Sequence, residues 1–258
     1  MIIQGSRCNV WRRGYFFLSV GLAIASVLGI VGCSTAIHAP ASAPADLSGT
    51  PPLDLLTVFL ERERSRGAVK FTFNGEIEVK AGDVHSFRGV GAYKNCDALR
   101  IQLLGPLGFT LLEYINSEGE ARLVANQLTP QGDEEAKEGL LQMMEIFTLA
   151  LIDRCYPSEE FEEGSHNANL AKFITPTQTN GMLHISLDRH KAVLMQQSIT
   201  GGELPDTVIN YMNHRSSNGY WMPDRIEIKG KDMPVSIDME IRKWSVDVDL
   251  PDHLFTVD

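Results

Sequence analysis

The stretch from Val69 to Val79 constrains the fold more than any other part of the chain. Val69, Phe71, Phe73, Gly75, Ile77 and Val79 alternate with Lys70, Thr72, Asn74, Glu76 and Glu78. A period of two puts one set on each side of a strand, and an apolar side opposite a wet one marks an antiparallel sheet with a solvated face. Ala81-Gly82-Asp83 is a hairpin turn signal. Further strands are expected at about 84–93, 98–104, 109–116 and 120–126, divided by Lys94-Asn95, Gly105-Pro106-Leu107-Gly108 and Ser117-Glu118-Gly119. A helix at about 53–66 precedes this meander, with Pro52 suited to its first turn, Gly67 to its end, and Leu53, Leu56, Phe59 and Leu60 as its stripe. A second helix is expected at about 133–154, then an acidic loop from Tyr156 to Leu170. Strands resume at about 182–188, 191–199, 207–213, 221–229 and 234–247. The sum is a mainly β chain with two helices. A strongly twisted sheet of about ten strands tends to curl, so the expected architecture is an unclosed antiparallel β-barrel of about ten or eleven strands with helices as a lid.

The N-terminus carries an address. Arg7, Arg12 and Arg13 form a positive region, Tyr15 to Val31 is uncharged and apolar, and Ile30-Val31-Gly32-Cys33-Ser34 follows. That is signal-peptide grammar, with a cysteine at the cleavage position, and it resembles the lipobox of bacterial lipoproteins. The other reading is an uncleaved anchor, for which the apolar stretch falls short of the ~20 residues a spanning helix needs. The resemblance implies that residues 1–32 are removed as a signal peptide and that Cys33 is lipidated. Ser34 in place of Asp implies passage to the outer membrane, facing the periplasm. Residues 33–52 are small and Pro-rich and read as a flexible tether. Residues 53–258 are then the folded domain.

The whole chain has a net charge of −10, and the leader contains three arginines and no acid, so the mature chain is more acidic still. This argues against nucleic acid as a partner and against docking on anionic lipid through a basic patch. Cys8 goes with the leader and Cys33 with the lipid, which leaves Cys96 and Cys155 as two thiols or one disulfide. No Gly-x-Ser-x-Gly elbow, phosphate-cradling glycine loop, His-Glu-x-x-His or Cys-x-x-Cys occurs. The histidines lack ligand spacing. Glu159-Glu160 and Glu162-Glu163 read as a solvated run rather than a calcium site. Nothing in the chain calls for an enzyme, a metal or a cofactor.

What stands out is apolar surface. The helix at 133–154 carries Leu140, Met143, Met144, Phe147, Leu151 and Ile152 at helical spacing, and Leu141, Ile146, Leu149 and Ala150 widen the face beyond a normal stripe. It either completes a core or lids a cavity in which methionine adapts to varied apolar ligands. The second such feature is Leu107, at the tip of a Pro106-Leu107-Gly108 turn with no sequence neighbour able to cover it.

The segment Leu99 to Glu113 resembles the outer-membrane lipoprotein receptor family LolB, which is grouped with the periplasmic carrier LolA. The resemblance rests on Cys33, the helix at 53–66, the strand-Pro106-Leu107-Gly108-strand hairpin, Leu204-Pro205, the segment Pro223 to Ile228, and Trp244 in the last strand. The tail Pro251 to Phe255 is more similar to the LolA side. The resemblance implies a half-barrel with a helical lid, in which the Leu of Pro-Leu-Gly, here Leu107, projects toward the membrane and helps deliver incoming lipoproteins. It implies as partners the membrane lipid around the acylated N-terminus, the periplasmic carrier and its acylated cargo. Phe71, Phe73, Met143, Met144, Phe147, Leu151 and Trp244 are the candidate lining of an acyl cavity. A carrier of free lipid or glycolipid, or a scaffold lipoprotein of an envelope complex, would share the same fold.

Overall fold

The computed structural model describes residues 46–256, apart from 80–83, 95–97, 106, 118, 129–133, 152–160, 178–179, 203–204, 232 and 234. The leader, Cys33, Cys96, Cys155 and Pro106 lie outside the described residues. In chain order the elements are α1 (Pro52–Ser65), β1 (Val69–Val79), β2 (Val84–Lys94), β3 (Ala98–Leu104), β4 (Thr110–Ser117), β5 (Glu120–Asn126) and α2 (Glu134–Leu151). They continue as β6 (Glu162–Glu163), β7 (Leu170–Pro176), β8 (Met182–Asp188), β9 (Val193–Thr200), β10 (Thr207–Met212), β11 (Arg215–Ser217), β12 (Tyr220–Met222), β13 (Arg225–Gly230) and β14 (Val235–Val246). A 3-10 turn, Asp252–Phe255, closes the described chain.

Twelve strands form one antiparallel sheet in the order β5-β4-β3-β2-β1-β14-β13-β10-β9-β8-β7-β6. β5 and β6 are its two edges and do not pair with each other, so the sheet stays open. The first strand pairs with the last, β1 with β14, along the whole length of β1. This pairing joins the two meanders into one surface. The inward-facing residues of both meanders and the buried faces of α1 and α2 form a single apolar cluster.

The glycines of β2 have a steric reason. Phe71 lies opposite Gly91 and Phe73 opposite Gly89, while Phe87 lies opposite Gly75. A Cβ at Gly91 would stand 2.1 Å from Phe71 Cζ, and one at Gly89 would stand 2.3 Å from Phe73 Cζ. The rings occupy the space a side chain on the opposite residue would take, so they pack close against the inner face of the sheet.

Four features differ from the sequence expectation. The residues expected to lie between the acidic loop and the strand at 182 contain β7, whose inward residues are Ala171, Phe173 and Thr175. The strand expected at 221–229 is divided at Pro223-Asp224: Tyr220–Met222 pairs with Arg215–Ser217, and Arg225–Gly230 joins the large sheet. Proline has no N–H for a ladder, so the break falls where pairing would fail. On α1, Leu55 is buried and Leu53 is exposed, which turns the stripe by one residue. Glu162 and Glu163 form the short edge strand, where exposed acids oppose pairing with another chain.

The folded chain begins before residue 53. Leu47 N–H donates to His190 O (3.1 Å), Asp46 meets the His190 ring (3.1 Å), and Arg189 donates to Thr50 O (3.2 Å). The last residues of the expected tether are therefore clasped to the β8–β9 turn.

Candidate functional site

The β3–β4 hairpin turns in five residues. Gly108 N–H donates to Gly105 O and Gly105 N–H to Phe109 O, each at 2.9 Å. Gly108 has φ of +82°, a left-handed conformation that glycine adopts at no steric cost. The Phe109 ring covers the position a Cβ on Gly105 would take, 2.6 Å from its Cζ. This geometry leaves Leu107 92% exposed, the most exposed large apolar side chain among the described residues, and Phe109 47% exposed. A leucine left in water forgoes roughly 2 kcal/mol of burial. Gln127 N–H donates to Leu111 O (2.8 Å), which extends the β4–β5 pairing past β5 and brings Leu128, 44% exposed, to the same end.

Behind this hairpin, on the solvated face of the sheet, lies a concavity of about 850 Å³. Leu104 and Leu111 line its hairpin side, and Phe87 contributes a partly buried ring. Its far side is a ladder of opposite charges: Arg225 on Asp238 (2.9 Å) and Arg242 on Glu240 (2.8 Å). The Asp238 carboxylate pushes the Arg225 guanidinium further above its ordinary range.

The seven residues expected to line an acyl cavity meet on the opposite face. Phe71, Phe73, Met144, Phe147, Leu151 and Trp244 are buried in the common cluster, with Met143 packed against it. Phe71 stands 5.7 Å from Phe73 and 5.1 Å from Trp244, ring centre to ring centre. Trp244 Nε1–H donates to Pro223 O (2.8 Å). The structure brings these side chains together as packed interior, and none of them lines the concavity on the solvated face.

Two tyrosines that sequence reasoning passed over bind α2 to the sheet. Tyr114 Oη lies 3.1 Å from Thr148 Oγ1. Tyr211 Oη reaches Ala150 O at 3.0 Å and also the Gln197 side chain. Burial pushes the Tyr114 phenol above its ordinary value, so its proton stays in place. The signal for both was visible as a polar atom on an inward-facing position, Tyr114 beside Leu112 and Tyr211 beside Ile209. Phe109 and Leu128 were also missed as exposed apolar residues. Among the described residues, no group of three or more His, Cys, Asp or Glu side chains could hold a metal ion.

No known family's sequence profile matches the chain. The outer-membrane lipoprotein LolB of Pseudomonas fluorescens is 24% identical over 186 residues, which are 72% of this chain and 78% of that protein. A LolA superfamily protein from Nitrosomonas europaea has a similar structure, with a TM-score of 0.53 at 10% identity, covering 78% of this chain and 97% of that one. A DUF1329 family protein from Desulfovibrio piger gives a TM-score of 0.52 at 9% identity, covering 83% and 98%. The sequence similarity is a distant homology to LolB, and the structural similarities establish a LolA-like fold.

Proposed function

Proceeding from the distant homology to LolB, we propose that this chain is a lipid-anchored acceptor of acylated lipoproteins that helps insert them into the outer membrane. Cys33 carries the anchor and the folded domain faces the periplasm. The observation that carries the reading is Leu107, 92% exposed at the tip of a hairpin whose hydrogen bonds close on themselves. A monomer gains nothing from an apolar tip in water. In contact with a bilayer, the same tip recovers the burial it lacks.

The acyl chains of the cargo enter between α2 and the concave face of the sheet, among Phe71, Phe73, Met143, Met144, Phe147, Leu151 and Trp244. That space is filled by side chains, so entry requires α2 to move. Methionines on the moving helix suit a surface that must repack around a variable chain. Tyr114 and Tyr211 are the latches, because their hydroxyls bind the C-terminal half of α2. Cargo leaves the periplasmic carrier only if this site holds the acyl chains more favourably, and it leaves this site only if the bilayer holds them better still.

The test is a transfer assay with the mature lipidated protein in vesicles and a carrier loaded with an acylated lipoprotein. The reading predicts cargo in the vesicles with the native protein, and cargo stalled with the Leu107→Glu variant. Cargo that stays on the carrier in both cases, with phospholipid copurifying on this protein, would replace it with a lipid-carrier function.

A further inference from the structure

We propose that the crevice between the β11–β12 ribbon and the C-terminal half of β14 binds a phosphate group, held by Lys243, Arg215 and the hydroxyls of Ser216 and Ser217. This ligand is distinct from the acyl chains proposed above, which carry no phosphate. The crevice has a volume of about 270 Å³ and is lined by Arg215, Ser216, Ser217, Arg242, Lys243 and Trp244. Three cations and two hydroxyls face it, and no carboxylate does. A register shift supplies two of the cations. Lys243 lies opposite Thr72 and Ile241 opposite Phe73, so Arg242 is a bulged residue without a partner in β1. A bulge re-aims a side chain, and here the consecutive residues Arg242 and Lys243 are both exposed. The ribbon is held against them: Arg215 Nη2 donates to Arg242 O (3.4 Å), Tyr220 Oη to Ser65 O (3.2 Å) and Asn218 Nδ2 to Asp247 (3.1 Å).

The charge pattern selects the ligand. Arg215 is matched by Asp224 (2.7 Å) and Arg242 by Glu240 (2.8 Å). Lys243 has no such carboxylate, and its ammonium makes no ion pair among the described residues. Lys70, diagonal to it in the β1–β14 ladder, is exposed and likewise unpaired among them. The nearby Asp247 is already taken by Gly67 N–H (2.9 Å) and Asn218. Four cations thus stand against two paired carboxylates, a positive surplus in a chain of net charge −10. The Ser216 and Ser217 hydroxyls make no hydrogen bond among the described residues, and Arg215 keeps Nη1 beyond the groups it serves. A phosphate offers three acceptor oxygens to donors that arrive from two strands, where a planar carboxylate offers two. The crevice volume is below the range of pockets that enclose a drug-sized molecule, so it takes the phosphate and little of what bears it. The Trp244 indole, whose N–H is already given to Pro223 O, closes it with an apolar wall.

The experiment is lysine footprinting on the full mature protein, with the acetylation rate of each lysine by N-hydroxysuccinimide acetate read by mass spectrometry. In neutral detergent, inorganic phosphate should slow Lys243 saturably and leave Lys229, which is paired with Glu227 on β13, unchanged. Chloride at equal ionic strength should do neither. Arg215→Gln should raise the half-saturating phosphate concentration about tenfold. Ser216→Ala, at an exposed position that the fold does not need, should raise it by less. Two sources of phosphate are then separated in phosphatidylcholine vesicles with and without phosphatidic acid. Slowing of Lys243 by phosphatidic acid assigns the site to a lipid headgroup, and slowing by inorganic phosphate alone assigns it to a soluble phosphate. Slowing in neither arm overturns the site. Slowing that Lys229 shares, that chloride reproduces, or that both variants leave unaltered is general screening and overturns it as well.

Discussion

Two hairpin turns of this molecule solve the same geometric problem with opposite chemistry. The β3–β4 turn is Gly-Pro-Leu-Gly-Phe, and its hydrogen bonds close on itself while Leu107 stands in solvent. The β8–β9 turn, Asp188-Arg189-His190-Lys191-Ala192, is charged and tied down. Asp188 Oδ1 accepts from His190 N–H (3.0 Å) and Lys191 N–H (2.9 Å). Arg62 of α1 donates to Lys191 O (2.8 Å), Arg189 reaches Thr50 and Asn167, and Lys191 sits 4.5 Å from the Trp221 ring centre. The charged turn spends its groups within the molecule. The apolar turn has its only chemical capacity left over, and that capacity suits a membrane.

The largest effect expected is on the free turn. Leu107→Glu abolishes delivery of acylated cargo to vesicles, yet leaves the urea midpoint unchanged, because an exposed side chain contributes little to the fold. A lower midpoint would place Leu107 in the structure instead of at its boundary. The frame between the turns responds in the opposite sense. Gly91→Ala drives a Cβ into the Phe71 ring and lowers stability by about 1–3 kcal/mol in urea titration.

Smaller effects belong to the tied turn and the latches. Asp188→Ala removes the acceptor of two backbone N–H groups and costs about 1 kcal/mol, with cargo delivery unaltered. Tyr211→Phe costs about 1 kcal/mol by removing the hydrogen bond from its hydroxyl to Ala150 O, and it speeds uptake of a fluorescent fatty acid by loosening α2. The smallest effect is local and depends on pH. Hydrogen bonding from Ser48 and then His190 holds the Asp46 carboxyl below its ordinary value. A depressed carboxyl stabilises above its unfolded pKa and stops doing so as pH falls through its folded one. Amide exchange at Leu47 should therefore rise in acid below the ordinary carboxylate range, beyond its intrinsic pH dependence, while β1 stays protected.

The sheet was legible wherever alternation was strict, which is why β1 to β5 fall close to their expected bounds. β7 was hidden because Phe173 is the only large apolar residue of its inward set, between the small Ala171 and the polar Thr175, next to an acidic loop. Proline decided the division at Pro223, but sequence alone could not say that Trp221 would leave the main sheet for a separate ribbon. The exposed Leu107 could be read from the absence of any neighbour to cover it. The packed state of Phe71, Phe73 and Trp244 could not, since a residue suited to line a cavity is equally suited to fill one. Phe109 was read only as the start of a strand, because its brace on Gly105 exists only once the turn is closed.

The most direct test of the contrast between the turns is hydrogen exchange by mass spectrometry on the mature lipidated protein, free of cargo, with and without a bilayer. The account predicts slower exchange over residues 105–110 and 126–128 in vesicles, and no change over 188–192. Protection of 188–192 with 105–110 unaffected would turn the molecule over and contradict it.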